Sequence, residues 1–142
     1  MRRLALGLVC IATSGAADHR FEDRDAVAGA ALYATHCASC HGANLEGQPD
    51  WRSPGPDGVL PAPPHDETGH TWHHDTDLLI EYTLLGGAAA MDARGVPGFN
   101  SGMPAFADVL SEDEVLEILA FIRASWPDAA KGVQRQRSHP GS

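Results

Sequence analysis

The chain has 142 residues, 20% of them charged, with a formal net charge of −9 and a mean hydropathy of −0.22. That length suits one modest domain and leaves little room for a second. The acidity argues against a nucleic-acid binder, which needs clustered Lys and Arg against phosphate, and fits either simple solubility or a partner with a basic docking patch.

Met1-Arg2-Arg3 ahead of the apolar run Leu4 to Ala12 is a basic start followed by a stretch too short to cross a bilayer. Residues 1–17 therefore read as a secretory signal, cleaved after Ala17. The bulky Val9 stands before Cys10 where a lipoprotein signal needs a small residue, so lipid attachment and an uncleaved anchor are the minor readings. The mature chain is expected in the periplasm, not spanning the membrane, and its only thiols are then Cys37 and Cys40, with none left for a structural disulfide.

Residues 18–24 carry too much charge for a core element and read as a solvated lead-in. From Asp25 to about Cys37 the pattern turns helical, with Ala26, Gly29, Leu32, Tyr33 and His36 on one face and Asp23 or Asp25 as cap. Gly29 costs such a helix about 1 kcal/mol relative to Ala, so another segment of chain is expected to approach there.

Cys37-Ala38-Ser39-Cys40-His41 is the stretch around which the other elements are read. Two thiols with two residues between them, followed at once by an imidazole, form a haem attachment signature. One helical turn presents both sulfurs to the two vinyl groups of a haem, while the His ring swings under the iron. A redox disulfide is one alternative, and so is a zinc site completed by His65 and His70. The interval from Cys40 to His65 is longer than zinc fingers use.

Ala43 to Pro64 is rich in Gly, Pro and Asp, shows no hydrophobic period and reads as loop. A loop of that length needs something to wrap, and a flat haem face would pack Leu45, Trp51, Val59 and Leu60. One of the loop's prolines is expected to offer its carbonyl to the N–H of His41, fixing the ring and raising its basicity. His65 to His74 is a His-rich run in which His70, His73 and His74 are candidate ligands for a second, borderline metal such as copper or zinc. The competing reading is a polar loop whose imidazoles bond backbone or haem propionates, with Trp72 as a wall.

Asp75 or Thr76 caps a second helix to about Leu85, with Leu78, Leu79, Tyr82 and Leu85 as its packing stripe and Gly86-Gly87 closing it. Ala88 to Pro97 reads as a second loop, carrying Met91. Gly102-Met103-Pro104 follows. Pro104 restricts Met103 to extended backbone, from which its thioether can project onto the far side of an iron; Met91 is the reserve. Ser111-Glu112-Asp113-Glu114 is a capping box opening a last helix with Val115, Ile118, Leu119, Ile122 and Trp126 on one face and Phe121 beside it. Pro127 stops it, and residues 128–142 read as a flexible polar tail.

With these residues placed, the chain resembles the single-haem class I cytochromes c, over roughly residues 25–127. In that family a Gly and an aromatic on the first helix pack crosswise against an aliphatic and an aromatic on the last; Gly29, Tyr33, Ile118 and Phe121 fit those places, and Gly102-Met103-Pro104 matches the distal loop. The resemblance implies an all-α cytochrome c fold of about three main helices and long loops around one covalently bound haem c. It also implies haem attachment outside a bacterial cytoplasm and iron held by His41 and Met103. The work implied is one-electron transfer as a soluble carrier or electron-accepting subunit, monomeric or within a larger complex, rather than enzymatic catalysis. An enzyme or gas sensor with an open sixth position is the rival, and a copper-handling His loop a possible addition. The His-rich run and the near absence of lysine depart from the family pattern.

Overall fold

The computed structural model describes residues 20–139. The expected leader, the start of the lead-in and the last three residues of the expected tail lie outside that range. The described residues form helices and loops with no strand: α1 (Ala26–His36), α2 (Ala38–His41), α3 (Thr76–Leu85), α4 (Gly87–Ala93), α5 (Glu112–Ala124) and α6 (Asp128–Ser138), with one 3-10 turn at Thr71–His73. The all-α expectation holds, and α1, α3 and α5 are its three expected helices.

The frame is the crossing of α1 and α5. Asp25 caps α1 by accepting from the N–H groups of Val27 and Ala28. The capping box on α5 is complete, with Ser111 and Glu114 exchanging bonds. Where the helices cross, a Cβ at Gly29 would stand 2.5 Å from the Glu117 carbonyl carbon, closer still to its oxygen, and 3.1 Å from Ile118 N. The backbones meet at a point where no side chain fits, the close approach that an interior Gly on a helix implies. One turn on, the Tyr33 ring lies 5.3 Å from that of Phe121, and Tyr33, Val115, Leu116, Ile118 and Ile122 are buried around the crossing.

Three expectations are corrected. The lead-in is not merely solvated: Phe21 is 1% exposed, and the charges flanking it pair across the fold. Arg20 pairs with Asp77 and Glu112, Arg24 with Asp113, and Glu22 with Arg123 and Arg135. Exposed pairs of this kind contribute little each; burying the Phe21 ring is worth about 1.5–3 kcal/mol. Second, Ala88 to Pro97 is not all loop, because α4 occupies its first part. Three consecutive alanines favour helix, and Arg94, just past the end of α4, pairs with Glu81 and Asp75 of the preceding element. Third, much of the supposed tail is α6, which packs on α3 and the 3-10 turn. Its contact is polar: the Gln134 amide donates to Thr76 Oγ1 (3.1 Å) and Ser138 Oγ (2.9 Å), and Thr76 N–H donates to Ser138 Oγ (3.1 Å). Only Ala130 and Gln134 are buried on α6, so no apolar stripe announces it.

Candidate cofactor site

Cys37 ends α1 and begins α2, so the two thiols and His41 fall on one helical turn. His41 N–H donates to Cys37 O at 2.9 Å. Tyr33 Oη donates to Gly42 O at 2.9 Å and ties this turn back to the α1–α5 crossing. Both cysteines are free, Cys37 buried and Cys40 exposed. Burial, with the Cys40 thiol beside it, pushes the Cys37 thiol up to about 11.

The long loop after Gly42 folds back on itself. Gly47 N–H donates to His41 O (2.7 Å), Gln48 N–H to Ala62 O (2.9 Å) and His65 N–H to Leu45 O (2.8 Å). Trp126 fastens the loop's end to α5 by donating its indole N–H to His65 O at 2.7 Å. These bonds bring Pro63 O to 2.8 Å from His41 Nδ1, so the supporting proline is Pro63. With Nδ1–H engaged, Nε2 is the nitrogen left to bind a metal. Burial holds His41 below the ordinary imidazole value, against the opposing Pro63 bond, and keeps the ring in the neutral form that ligation needs. His65 stacks on it with centroids 4.0 Å apart, a contact the spacing did not suggest. His65 is itself kept neutral by burial and by the imidazoles of His41 and His70.

Around this turn lies a cavity of about 720 Å³. Cys37, Cys40 and His41 line it together with Val115, Ile118, Leu119 and Ile122 of α5, Leu78, Leu79 and Tyr82 of α3, Val59 and Leu60 of the loop, and both Met91 and Met103. Two of the four loop residues expected against a haem are therefore elsewhere. Leu45 is buried in the core and Trp51 stacks on His70, 5.3 Å between centroids. Of the α3 stripe, Leu85 turns out to solvent and Ile80 takes a buried place instead.

The Met103 loop is buckled to the end of α3. Phe106 N–H donates to Thr83 O and Leu84 O (3.1 and 3.2 Å), using carbonyls that a helix C-terminus leaves free. Gly87 N–H donates to Met103 O (3.1 Å). Gly86, at φ +81°, lets that loop approach: a Cβ there would be 2.9 Å from Ala105 N. Ser101 Oγ accepts from Met103 N–H (3.2 Å) and bonds Tyr82 Oη (2.9 Å). Sequence reading missed Ser101 and Tyr82 as supports; a Ser two residues before the Met was the only local signal.

The second metal site expected at His70, His73 and His74 is not assembled. His70 and His74 line the cavity and meet edge-on at 5.3 Å, but His73 is exposed and stacks on Trp72 at 3.7 Å. His73 is drawn outward by its stack on the Trp72 ring, away from the cavity that His70 and His74 line. Among the described residues no group of three His, Cys, Asp or Glu is placed to hold a metal ion. Trp72 packs partly against the core, not along the cavity.

The donor set fits one haem: two free thiols on a helical turn, a neutral imidazole with Nε2 unengaged, and an enclosing wall that is mostly apolar. Comparison with known proteins points the same way. The cytochrome c family model matches residues 26–126, from the first residue of α1 to Trp126. No curated protein and no solved structure matches the chain.

Proposed function

Because the chain belongs to the cytochrome c family, and so carries haem c covalently on Cys37 and Cys40, we propose that it is a one-electron carrier whose iron is held by His41 and Met103. The observation that carries this is the placement of Met103 on the cavity that His41 and the thiols line, on a loop pinned to α3 by backbone bonds. When bound, the haem supplies a metal that changes oxidation state by one electron without making or breaking a covalent bond to a substrate.

The chain's residues do the rest. Pro63 orients the His41 ring, and Ser101 with Tyr82 orients the Met103 backbone. The α5 side chains Val115, Ile118, Leu119 and Ile122 exclude water. Bound to the iron, the Met103 thioether would keep substrates off the metal and raise its potential. Exposed Cys40 marks the edge by which electrons enter and leave. The partner is a redox protein with a basic patch, steered by the net charge of −9. The basic, apolar leader supports export to the periplasm, and none of the described helices is long and apolar enough to cross a membrane.

The test is a reduced-minus-oxidised visible spectrum of protein purified from cells that mature c-type haem, with the mass of the attached group. The spectrum should contain the weak long-wavelength band of an iron–thioether bond. Met103→Ala should lose that band and bind carbon monoxide when reduced; Met91→Leu should retain it. Colourless protein without mass gain at its two thiols refutes the reading, and a band unchanged in Met103→Ala refutes the assignment of Met103.

A further inference from the structure

The tripeptide Pro63-Pro64-His65 meets the ring of His41 at two places. Pro63 O engages its edge, 2.8 Å from Nδ1. The His65 ring covers its face, with centroids 4.0 Å and planes 27° apart. A single hydrogen bond tolerates a broad range of angles at the carbonyl, so the Pro63 contact alone leaves the imidazole free to tilt about the N–H···O line. A flat ring stacked on its face removes that freedom.

The tripeptide is itself held along its length. Both prolines have a fixed φ, and Gly69 comes so close that a Cβ on it would stand 2.7 Å from the Pro64 carbonyl carbon. His65 N–H donates to Leu45 O at 2.8 Å, and Trp126, just past α5, donates its indole N–H to His65 O at 2.7 Å. The side chain is locked as well. His65 Nδ1 shares a hydrogen bond with Thr71 Oγ1 at 2.8 Å, and the Tyr33 ring meets the imidazole edge-on, 6.1 Å between centroids. Thr71 is buried and stands on the 3-10 turn against which α6 packs. A residue that only filled space would need no such partner, whereas a ring with its own hydrogen bond has a defined plane.

We propose that His65 is a positioning residue: its stacked ring fixes the plane of the His41 imidazole at the iron. The inference rests on His41 being an iron ligand, as set out above, and not on which residue fills the sixth position. The two contacts divide the work. Pro63 sets the direction and basicity of His41 through Nδ1–H, and His65 sets the tilt of the ring. The π orbital that an imidazole offers a metal is perpendicular to its ring, so turning the ring redistributes the unpaired spin of oxidised iron around the porphyrin. A ligand whose plane is locked by packed and hydrogen-bonded neighbours keeps one orientation in both oxidation states, so the electron moves without the ring having to turn.

The experiment reads the proton NMR spectrum of the oxidised holoprotein, in which the haem methyl signals spread according to the orientation of the axial ligands. His65→Leu fills the space without a flat face and should change the order or spread of those signals. His65→Phe restores a flat ring and should keep the wild-type pattern. In the reduced wild type, which does not depend on any variant folding, nuclear Overhauser contacts between the ring protons of His41 and His65 should show the stack. A wild-type pattern in His65→Leu, a pattern in His65→Phe altered as far as in His65→Leu, or no contact between the two rings overturns the proposal. Failure of the His41 assignment is separately visible, because its ring protons would then lack large hyperfine shifts in the oxidised wild type.

Discussion

Replacing Gly29 by Ala tests the crossing on which the site is built. On an isolated helix the change would be favourable, by about 1 kcal/mol, because Ala is the better helix former. Here the added methyl meets backbone, with the Glu117 carbonyl carbon at 2.5 Å and Ile118 N at 3.1 Å. Ordinary carbon contacts lie near about 3.5–4.0 Å, so α1 and α5 must part by about 1 Å. Neither helix yields as a flexible side chain would, and forced overpacking costs about 1–3 kcal/mol or more. The net expectation is a loss of up to about 2 kcal/mol, or more if the helices resist parting. Cavity-lining residues stand on both helices, so the haem environment should be disturbed as well.

The assay is urea unfolding of the holoprotein, reading a lowered midpoint at unchanged slope. Gly132→Ala is the internal control. Gly132 lies within α6 with nothing within 4 Å of a Cβ, so there the propensity gain of about 1 kcal/mol should appear unopposed. If Gly29→Ala is as stable as Gly132→Ala, the close approach of α1 and α5 is wrong.

Three further expectations follow from the same geometry. Tyr33→Phe removes the bond to Gly42 O and should cost about 0.5–1.5 kcal/mol at neutral pH, seen in the same urea assay. Burial raises the Tyr33 phenol above its ordinary value of 10.0, so the unfolded chain loses that proton first and wild-type stability should decline as pH rises past 10.0, a decline that Tyr33→Phe should lessen. Ser111→Ala breaks the capping box of α5 and should cost about 1 kcal/mol, read as a lower thermal midpoint. Ser101→Ala frees Met103 N–H and the Tyr82 hydroxyl; carbon monoxide should then bind the reduced protein measurably faster, and Ser101→Thr should restore the wild-type rate.

The sequence carried whatever is encoded locally. The attachment motif is five adjacent residues, caps such as Asp25 and Ser111 sit beside the helices they start, and the apolar period of α5 is written along one stretch. Gly29 was legible as a place of close approach because a Gly inside a helix costs stability that a tight contact offsets, although Gly132, with open space around it, shows that such a Gly can also be merely tolerated. Tertiary structure decided what depends on chain segments distant from one another. It chose Pro63 among the loop's prolines by folding that loop back on Gly47 and Gln48, and it left His73 outside the cavity, stacked on Trp72, while His70 and His74 line it. Phe21 and Gln134 found buried places that their charged and polar surroundings in sequence did not announce. The division is physical: a cap or a haem motif is satisfied within a few residues, whereas a buried amide or a supporting carbonyl exists only when remote segments meet.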